Sequence, residues 1–404
     1  MSALIGVSEA RERVLAAVEP LGSEPVPLLE ALGRVLAEDV ASPEALPPFD
    51  SSAMDGFAVR AGPAAELPLV GESRAGRPAG RGLEAGEAMV ISTGAVLPGG
   101  ADAVVPVEHA ERADGRVRVP ESAPGLNVRR AGEDLAAGEV AVRAGGALGP
   151  AELGVLASLG AVEARCARRP RVAVLCTGDE LVAVGEPLGP GQIRNSNAVT
   201  LGAQAERAGA EVVVRGVVRD DFEGTVAALG EALSAADVLC VSGGVSVGPH
   251  DHVKPALAAL GVEERFWGVA LKPGKPTWFG VAPRALVFGL PGNPVSAMVT
   301  FHLFARPALR RMLGAEPADT RASAVLDVAV PRLAPREQVL CCTLRAEGDG
   351  WHVAPTKQQG SHVLTSMVGA AAFALVPAGE GEQAAGSRVE IEILGWVSST
   401  GGVW

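Results

Sequence analysis

The sequence predicts a multidomain protein that combines one parallel α/β domain with β domains and a helical region. Its 404 residues are enough for about two to four domains. Residues 170–317 alternate apolar strands with helical segments over short connections, which is typical of a parallel sheet covered by helices. The flanking stretches 41–146 and 318–404 instead show the two-residue hydrophobic period of β-strands.

Helical segments are predicted on either side of the first β-rich stretch. Residues 8–40 are expected to be helical, with Ser8 as the N-cap and acidic residues in the first turn. Residues 149–160, GPAELGVLASLG, also favour a helix, because Pro150 stands where the first helical turn tolerates proline.

Residues 41–146 are rich in glycine and proline and contain short alternating runs such as AMVIST and ADAVVPVEHA. Such runs predict a small β domain. Within it, the segments PPFDSSAMDGFAV and ISTGAVLPGGADAVVPVE place polar side chains beside glycine, namely Asp50, Asp55, Thr93 and Asp102. These residues fit ordinary turns as well as they fit a binding site.

The segment 170–317 predicts strands and helices in regular alternation. The strands are apolar without alternation, so both faces of their sheet are expected to be buried. The predicted strands are 171–178, 211–218, 236–244 and 285–294, and the predicted helices are 198–210, 222–235, 251–260 and 294–313.

The last part of the chain returns to a two-residue period. The runs SAVLDVAV, QVLCCTL, FALVPA and RVEIEILGW are short and separated by turn residues. They predict a small β-barrel or sandwich.

Composition excludes several classes of protein. The net charge of −12 makes nucleic acid an unexpected partner, because binding a polyanion usually needs a basic surface. The chain has no apolar run of about 20 residues, and its first residues resemble an amphipathic helix rather than a signal peptide, so no membrane contact is expected. Five cysteines without a CxxC motif indicate buried structural thiols and a cytoplasmic location. The absence of tyrosine excludes chemistry that needs a phenol.

Ligands of open α/β sheets bind beyond the carboxyl ends of the strands. Here each predicted strand is followed by glycine, hydroxyl or acidic residues. The loop SGGVSVG can bring backbone amides close to an anion, although it is neither a Walker A motif nor GxGxxG. Residues predicted to bind substrate are Ser242, Gly243, Gly244, Ser246 and Gly248 in this loop, and Pro291, Asn293 and Pro294 in PGNPVS.

The stretch LKPGKP holds Lys272 and Lys275, two of the four lysines in the chain. Proline after each lysine and Gly274 between them restrict the turn, so both ammonium groups can be directed at one ligand. A compact ammonium group suits an oxyanion. The scarcity of lysine elsewhere favours this interpretation over two exposed surface charges.

Three carboxylates, Glu180, Asp220 and Asp251, follow strands of the same sheet and are expected to converge near the lysines. Oxygen ligands beside a phosphate favour Mg²⁺, which is therefore the expected cofactor. The flanking residues His250 and His252 leave zinc as the weaker alternative, because no further His or Cys has matching spacing.

Together these motifs resemble the molybdopterin molybdenumtransferase family, the MoeA-type enzymes of molybdenum cofactor synthesis that also include the E domain of gephyrin. The matching segments run in order over almost the whole chain: SAMDGFAV, STGAVLPGGADAVV, GEDL, CTGDEL, QIRNSN, SGGVSVGPHDHV, LKPGKP, GLPGNPVS and QGSHVLTSM. Phe57 and His252 stand where family members often carry tyrosine, which puts a hydroxyl role at these positions in doubt.

The resemblance implies a fold and an assembly. Residues 1–40 and 147–169 would form a helical dimerisation region, 41–146 an inserted β domain, 170–317 an α/β molybdopterin-binding domain and 318–404 a β-barrel. The protein would be an elongated homodimer. Its active cleft would lie between the α/β domain of one subunit and the inserted β domain of the other.

The resemblance also implies an activity. The protein would insert molybdate into adenylylated molybdopterin and release AMP with the help of Mg²⁺. Its partners would be these two substrates and the molybdopterin adenylyltransferase. The implied catalytic residues are Asp55, Thr93, Asp134, Glu180, Asp220, Asp251, Lys272 and Lys275, with Glu180, Asp220 and Asp251 holding the metal, and Ser361, Ser366 and either Arg336 or Arg345 adding anion contacts.

Two other functions remain open at this point. A gephyrin-like scaffold could use the same fold to cluster a partner, although the chain lacks the long linker and extra domain that a scaffold is expected to have. A pyrophosphatase or amidohydrolase on the same α/β domain is the second alternative. AMP release that depends on both Mg²⁺ and molybdate would separate the transferase from both.

Overall fold

The computed structural model describes residues 4–245 and 251–395. The first helix, α1 (Val7–Ala16), buries a face that includes Val7 and Val14. These side chains join a hydrophobic core that is built mainly by the α/β domain. The N-terminal helix is therefore packed against that domain.

The helix predicted over 8–40 is wrong beyond Ala16. The helix begins after Gly6, so Ser8 lies inside it and does not cap it. The sequence PLGSEPVP that follows the helix holds three prolines, and proline lacks the N–H group that a helix interior requires. The chain instead forms strand β1 (Ser23–Pro27), a 3₁₀ helix (Leu28–Glu30) and strand β2 (Val40–Ala41).

The β structure predicted for residues 41–146 is present. Its main sheet has six strands in the order β7-β4-β6-β5-β9-β8. Along β4, Phe57 and Ala58 alternate between two hydrophobic clusters, one on each face of the sheet. The elements are β3 (Ser51–Ser52), β4 (Gly56–Val59), β5 (Ala65–Ser73), β6 (Ala88–Ile91), β7 (Ala103–Pro106), a 3₁₀ helix (Val107–His109), β8 (Glu111–Ala113), β9 (Arg116–Val119), β10 (Val128–Arg129) and β11 (Val140–Val142).

The chain then forms helix α2 (Pro150–Ser158), which confirms the predicted helix and its proline at the first turn. Strand β12 (Glu163–Ala167) follows and pairs antiparallel with β1. Val26 and Leu156 share a small core beneath this pair. The segments before and after the inserted β domain are therefore joined through strands as well as helices.

The α/β domain has a six-stranded sheet in the order β16-β13-β17-β21-β20-β18. The first four of these strands are parallel, as predicted, whereas β20 runs antiparallel to β21 and β18 in turn runs antiparallel to β20. The strands are β13 (Arg171–Thr177), β14 (Leu181–Val182), β15 (Ile193–Arg194), β16 (Glu211–Val218), β17 (Val238–Ser242), β18 (Glu263–Trp267), β19 (Leu271–Lys272), β20 (Trp278–Val281) and β21 (Leu286–Leu290).

Helices cover this sheet at the predicted places. They are α3 (Ser196–Arg207), α4 (Phe222–Ala235), α5 (Val253–Ala259), α6 (Pro294–Thr300), a π-helix (Phe301–Ala305) and α7 (Arg306–Met312). The single helix predicted over 294–313 is thus interrupted. Pro307 cannot donate to the carbonyl of Leu303, and the Arg11 Nε–H donates to that carbonyl at 3.2 Å.

The C-terminal region is a closed β-barrel, so the barrel is confirmed over the sandwich. Its five strands follow each other in the order β24-β25-β22-β28-β26, and β26 pairs back to β24. The elements are β22 (Arg321–Leu326), β23 (Val330–Pro331), β24 (Glu337–Glu347), β25 (Gly350–Pro355), a 3₁₀ helix (Leu364–Met367), β26 (Ala372–Val376), β27 (Glu382–Gln383) and β28 (Arg388–Ile393).

A buried ion network joins α1, the π-helix and the barrel. Glu392 on β28 contacts the guanidinium group of Arg11 and accepts a hydrogen bond from Thr320 at 2.6 Å. Burial alone would raise the pKa of Glu392, but His302, Arg11 and Thr320 outweigh burial and hold the pKa at about 2. This network fixes the barrel against the α/β domain, because breaking a buried ion pair leaves an unpaired charge.

Candidate active site

The loops after the parallel strands form a cleft of about 530 Å³ at one edge of the α/β sheet. Strand β13 ends there at Thr177 and β17 ends there at Ser242. The loop after β13 contributes Glu180, and the loop after β21 contributes Asn293 and Pro294. This is the position at which open α/β sheets bind ligands. The cleft lies at the predicted location of the site, and four predicted site residues line it: Glu180, Ser242, Asn293 and Pro294.

Two glycines after β17 allow the backbone to pass close to β13. Gly243 and Gly244 have φ of 94° and 64°, in the left-handed region. A Cβ atom on Gly243 would lie 2.8 Å from the Thr177 carbonyl oxygen, and one on Gly244 would lie 2.6 Å from the Val253 side chain. Only glycine fits both positions without a shift. The predicted residues Ser246 and Gly248 lie outside the described residues.

A third glycine makes room for a carboxylate. Gly178 follows β13 with φ of 145°. A Cβ atom there would overlap the carboxylate of Glu180. The side chain of Glu180 therefore bends back over the end of β13 into space that a larger residue would fill. The chain thereby places one acidic group on the cleft lining.

The other two predicted metal ligands lie outside this lining. Asp220 follows β16, and its backbone N–H donates to Asp179 Oδ1 at 3.3 Å. Its neighbour Asp221 caps α4 by accepting a hydrogen bond from Gly224 N at 2.6 Å. Asp251 is half-buried just before α5. The described part of the chain therefore brings Glu180 alone, of the three, into the cleft.

Two asparagines of the QIRNSN motif organise the cleft wall. Asn195 is the N-cap of α3 and accepts a hydrogen bond from Ala198 N at 3.0 Å. Asn197 donates to Ser242 Oγ at 2.8 Å and to the Gly292 carbonyl at 2.7 Å. Ser242 is itself buried, with its side chain engaged in the fold. Its predicted contact with substrate stays a prediction.

The lysine turn lies at the same sheet edge as the cleft. It precedes β20, and Trp278 at the start of β20 pairs with Gly289 near the carboxyl end of β21. A Cβ atom on Gly274 would lie 2.5 Å from the Thr300 side chain, so the turn packs closely on α6. Lys272 and Lys275 are both exposed, and neither forms an ion pair within residues 4–245 and 251–395. Both charges are available to a ligand.

A loop of the barrel closes one side of the cleft. Ser361 accepts a hydrogen bond from Asn293 Nδ2 at 3.1 Å, and its carbonyl accepts one from Val295 N at 3.1 Å. His362 lines the cleft directly. Ser366 is buried and donates to the Val363 carbonyl at 2.7 Å. Of the two predicted serines, Ser361 is therefore the one at the rim.

The structure distinguishes the two candidate arginines. Strand β19, which carries Lys272, pairs with the start of β24, where Leu271 lies opposite Glu337. Arg336 immediately precedes this pair. Arg345 lies farther along the barrel and pairs with Asp327 at 3.0 Å. Arg336 is the arginine that accompanies the lysine turn.

In the inserted β domain, Asp55 and Thr93 come together. The Thr93 N–H donates to Asp55 Oδ1 at 2.9 Å, and both residues are exposed. Asp134 is also exposed on the loop before β11. By contrast, Asp50 pairs with Arg130 at 2.6 Å and accepts from Ala131 N, contacts that hold its pKa below the ordinary value. Asp50 therefore serves the local fold.

In the described part of one chain, the inserted β domain and the sheet-edge cleft are not linked by hydrogen bonds or ion pairs. Within the described ranges, no hydrogen bond or ion pair connects residues 41–144 with residues 170–318. The predicted residues Asp55, Thr93 and Asp134 therefore form a second group, separate from the cleft and lysine turn of the same subunit.

The described residues contain one compact group of metal-ligand side chains, and it lies on the barrel. Glu347, Asp349 and His352 place ligand atoms within 4.8 Å of one another. His352 Nδ1 lies 2.9 Å from Asp327 and Nε2 lies 2.8 Å from Asp349. Hydrogen bonds to these two carboxylates raise the pKa of His352. His352 and Arg345, which contacts Glu347, both pair with the acidic side chains, so the group forms an internal ion network.

The three predicted metal ligands of the sheet edge are not grouped in this way. Glu180, Asp220 and Asp251 do not form such a compact group in the part of the chain described. Mg²⁺ often uses only one or two carboxylates together with substrate phosphates and water, so the predicted role of these side chains in metal binding stays a prediction.

The five cysteines are free and buried. Burial raises the pKa of Cys176, which lines the cleft, to about 11 and that of Cys240 to about 12. A thiol with such a pKa stays protonated near neutral pH and is a poor nucleophile. Among the described residues, no helix has the length and apolar character that a membrane span requires.

Sequence reasoning missed three cleft residues. Asn195 and Asn197 are two of the few asparagines in the sequence and lie near the predicted sheet edge. The sequence does not show that Asn195 caps α3 or that Asn197 donates hydrogen bonds to two cleft loops. His362 follows Ser361 in a motif that sequence alone assigns to the barrel. Only the folded chain shows that this barrel loop reaches the α/β domain.

Comparisons with known proteins agree with this architecture. The MoeA N-terminal region (domain I and II) matches residues 5–160, a probable molybdopterin binding domain matches 173–311, and the MoeA C-terminal region (domain IV) matches 323–394.

Full-length relatives extend these matches. A molybdopterin molybdenumtransferase of Haemophilus influenzae is 37% identical over 96% of this chain and 98% of its own. One of Bacillus subtilis is 34% identical over 96% and 94%. The crystal structure of a molybdopterin biosynthesis MoeA protein from Pyrococcus horikoshii superposes with a TM-score of 0.84 at 36% identity, covering 98% of this chain and 100% of that one. The order of the motifs, the domain architecture and these full-length matches show that the chain belongs to the MoeA family.

Proposed function

We propose that the protein is a molybdopterin molybdenumtransferase, which inserts molybdate into adenylylated molybdopterin and releases AMP. Relatives with this name match the chain over nearly its full length. The observation that carries the proposal is the position of the lysine turn at the carboxyl edge of the sheet, where Lys272 and Lys275 are exposed and form no ion pair with any other described residue.

The charges of the site suit its proposed substrates. Molybdate is a compact dianion, and the exposed ammonium groups of Lys272 and Lys275 can hold it as point charges, with Arg336 nearby. The protein carries a net charge of −12, so attraction of an anion must come from such local groups. The closely packed backbone at Gly243 and Gly244 leaves the cleft open to the phosphates of the pterin nucleotide.

We further propose that Mg²⁺ binds together with the nucleotide, held by Glu180 with Asp220 or Asp251. When bound, the ion would supply charge neutralisation on the phosphoanhydride oxygens. Glu180 is suited to this duty because Gly178 leaves its carboxylate room at the cleft wall. The lysines position molybdate, and the loops after β17 and β21 hold the nucleotide.

A homodimer is the proposed assembly. Leu29, Leu32 and Val162 are 97%, 61% and 83% exposed, and the Leu28 N–H donates to the Val162 carbonyl at 3.0 Å, so these apolar side chains are neighbours. Such a patch indicates an interface. A second copy of the chain could also bring Asp55, Thr93 and Asp134 to the cleft, which they do not reach within one chain.

The proposed activity is tested by AMP release. Purified protein, adenylylated molybdopterin and Mg²⁺ are mixed with and without molybdate, and AMP is measured by chromatography. We expect release only with molybdate. Lys275→Ala should lower the rate about 100-fold, because it removes one preorganised charge from the site.

Lys254→Ala is the matched control. The ammonium group of Lys254 lies 4.4 Å from the centre of the Trp267 ring, where its charge serves a local contact. We expect this variant to retain normal turnover. AMP release without molybdate would instead favour a nucleotide hydrolase, and no release under any condition would favour a scaffold.

The shared cleft is tested by mixing two variants of low activity. Asp55→Ala and Lys275→Ala are each expected to retain only about 1% of the wild-type activity. If each cleft uses both subunits, exchange between the two homodimers creates some clefts without either substitution, and activity rises. Activity that does not rise after subunit exchange, verified by mass spectrometry of the mixed dimer, would place all site residues in one subunit.

Two further proposals concern the setting of the reaction. The substrate is an adenylate, so the adenylyltransferase that makes it is a natural partner for direct transfer. Five buried free cysteines suit the reducing cytoplasm. Co-elution of the two purified enzymes on gel filtration would support the first, and fractionation of the producing cells would test the second.

A further inference from the structure

The side chain of Asn197 connects two loops of the cleft. Its Nδ2 donates to Ser242 Oγ at 2.8 Å and to the Gly292 carbonyl at 2.7 Å. Ser242 Oγ in turn donates to the Pro291 carbonyl at 3.1 Å. One side chain in the first turn of α3 therefore holds the ends of β17 and β21 at a fixed separation.

Chemistry fixes the orientation of this amide. The Gly292 carbonyl can only accept a hydrogen bond, so the atom facing it must be the nitrogen. The Ser242 hydroxyl hydrogen is directed to Pro291, which leaves Ser242 Oγ as an acceptor for the second N–H. Both hydrogens of the Asn197 amide are thus used on loops of the cleft.

This arrangement has a cost. Asn197 Oδ1 is buried and has no hydrogen-bond partner among the described residues. Burying an unpaired acceptor is unfavourable, and an apolar side chain at this position would avoid it. The cost is compatible with a residue kept for its two donors, which neither serine nor aspartate can replace.

Gln204 on the same helix shows which feature matters. Its Oε1 is also buried without a partner in the described part of the chain, and its Nε2 donates to the Met298 carbonyl at 3.2 Å. Within the described residues, Gln204 forms no hydrogen bond with Ser242–Gly244 or Pro291–Pro294. The unpaired acceptor is therefore common to both residues, and the two contacts with cleft loops distinguish Asn197.

We propose that Asn197 is a positioning residue, which sets the width of the cleft between Ser242–Gly244 and Pro291–Pro294 for the pterin nucleotide. The inference rests on the proposed function and deepens it. The nucleotide spans these two loops, whereas molybdate is held at the lysine turn. Releasing the loops should therefore weaken binding of the nucleotide and leave molybdate binding unaffected.

The test compares the KM of each substrate in Asn197→Ala and Gln204→Ala. We expect Asn197→Ala to raise the KM for adenylylated molybdopterin about tenfold, as for the loss of about one net hydrogen bond in binding. Its KM for molybdate should stay within about twofold of wild type. Gln204→Ala should lower the melting temperature by about as much as Asn197→Ala does. It should leave the KM values of both substrates unchanged.

The outcomes separate this inference from the proposed function. Wild-type protein that releases no AMP refutes the function. Active wild type with an unchanged nucleotide KM in Asn197→Ala refutes the positioning role alone, as does an equal rise in both KM values. If Asn197→Ala does not fold, Asn197→Asp keeps the shape, places an oxygen against the Gly292 carbonyl and is held to the same expectation.

Discussion

Two clefts of similar size lie at opposite edges of the α/β sheet. The cleft at the amino edge has a volume of about 610 Å³ and is lined by Arg168, Arg171, Asp237 and Arg284. The cleft at the carboxyl edge is smaller, at about 530 Å³. Volume and positive charge alone would favour the amino edge.

The difference lies in how the fold uses its polar groups. At the amino edge, Arg168 donates two hydrogen bonds of 3.0 Å to Asp237, which also accepts from the Arg171 N–H at 2.8 Å. At the carboxyl edge, tight glycine loops converge from two strands, and the nearby Lys272 and Lys275 form no ion pair among the described residues. Charged side chains that form no ion pair within the described fold therefore indicate the ligand site better than the volume of a cleft does.

The largest expected effect is a loss of activity on replacing a glycine at the carboxyl edge, compared with replacing a glycine at the amino edge. A methyl group on Gly243 at the carboxyl edge would force the loop away from Thr177, because the φ of 94° and the 2.8 Å approach both exclude it. We expect Gly243→Ala to lower kcat/KM for AMP release about 100-fold, by displacing loop and nucleotide together.

Gly230 provides the matched change at the amino edge. It lies inside α4, and an added Cβ would make ordinary contact with Leu260 at 3.4 Å. Gly230→Ala should keep full activity and raise the free energy of unfolding by about 0.5–1 kcal/mol, since alanine favours the helix. Equal losses of activity in both variants would contradict the assignment of the site to the carboxyl edge.

A smaller effect is expected from Asp237. Asp237→Ala removes the partner of Arg168 and should lower the free energy of unfolding by about 1–2 kcal/mol, a value reduced by the partial exposure of this pair. The kcat/KM of the folded protein should not change. Chemical denaturation and turnover measured on the same sample check both statements, and lost turnover would move the function toward the amino edge.

The smallest expected effect is a pH dependence far from both clefts. Hydrogen bonds to Asp327 and Asp349 raise the pKa of His352. A raised pKa means stabilisation that is fully present below the unfolded value of about 6.5 and is lost as the pH rises through the higher folded value.

Differential scanning fluorimetry between about pH 5.5 and pH 9 tests this dependence. The melting temperature of the wild type should fall relative to that of His352→Gln as the pH rises, while AMP release at a given pH stays equal. Parallel melting curves for the two proteins would show that the His352 network does not depend on its proton.

Much of the α/β domain could be predicted from the sequence, because local patterns determine it. The helix over 222–235 was placed within its observed bounds, and the strand over 211–218 likewise. The predictions missed strand β20 and the break before α7, and both features depend on contacts between segments that are apart in the sequence. Strand β20 pairs with β21 through a tight hairpin, and the break before α7 depends on Arg11, which is remote in sequence.

The candidate site likewise has some features that the sequence predicts and others that only the folded chain shows. The sheet-edge loops and the lysine turn could be predicted, because the ends of strands and scarce residue types can be recognised in the sequence. The contact of Asn197 with both loops, and the approach of His362 from the barrel, depend on segments that meet only in the folded chain. The choice of Arg336 over Arg345 likewise required the pairing of β19 with β24.

The most direct measurement is a crystal structure with molybdate bound, recorded at a wavelength where molybdenum scatters anomalously. We predict a molybdenum peak within about 4 Å of the ammonium groups of Lys272 and Lys275, the range of an ion pair. A peak in the arginine-lined cleft at the amino edge, with the lysines free of molybdate, would contradict the assignment.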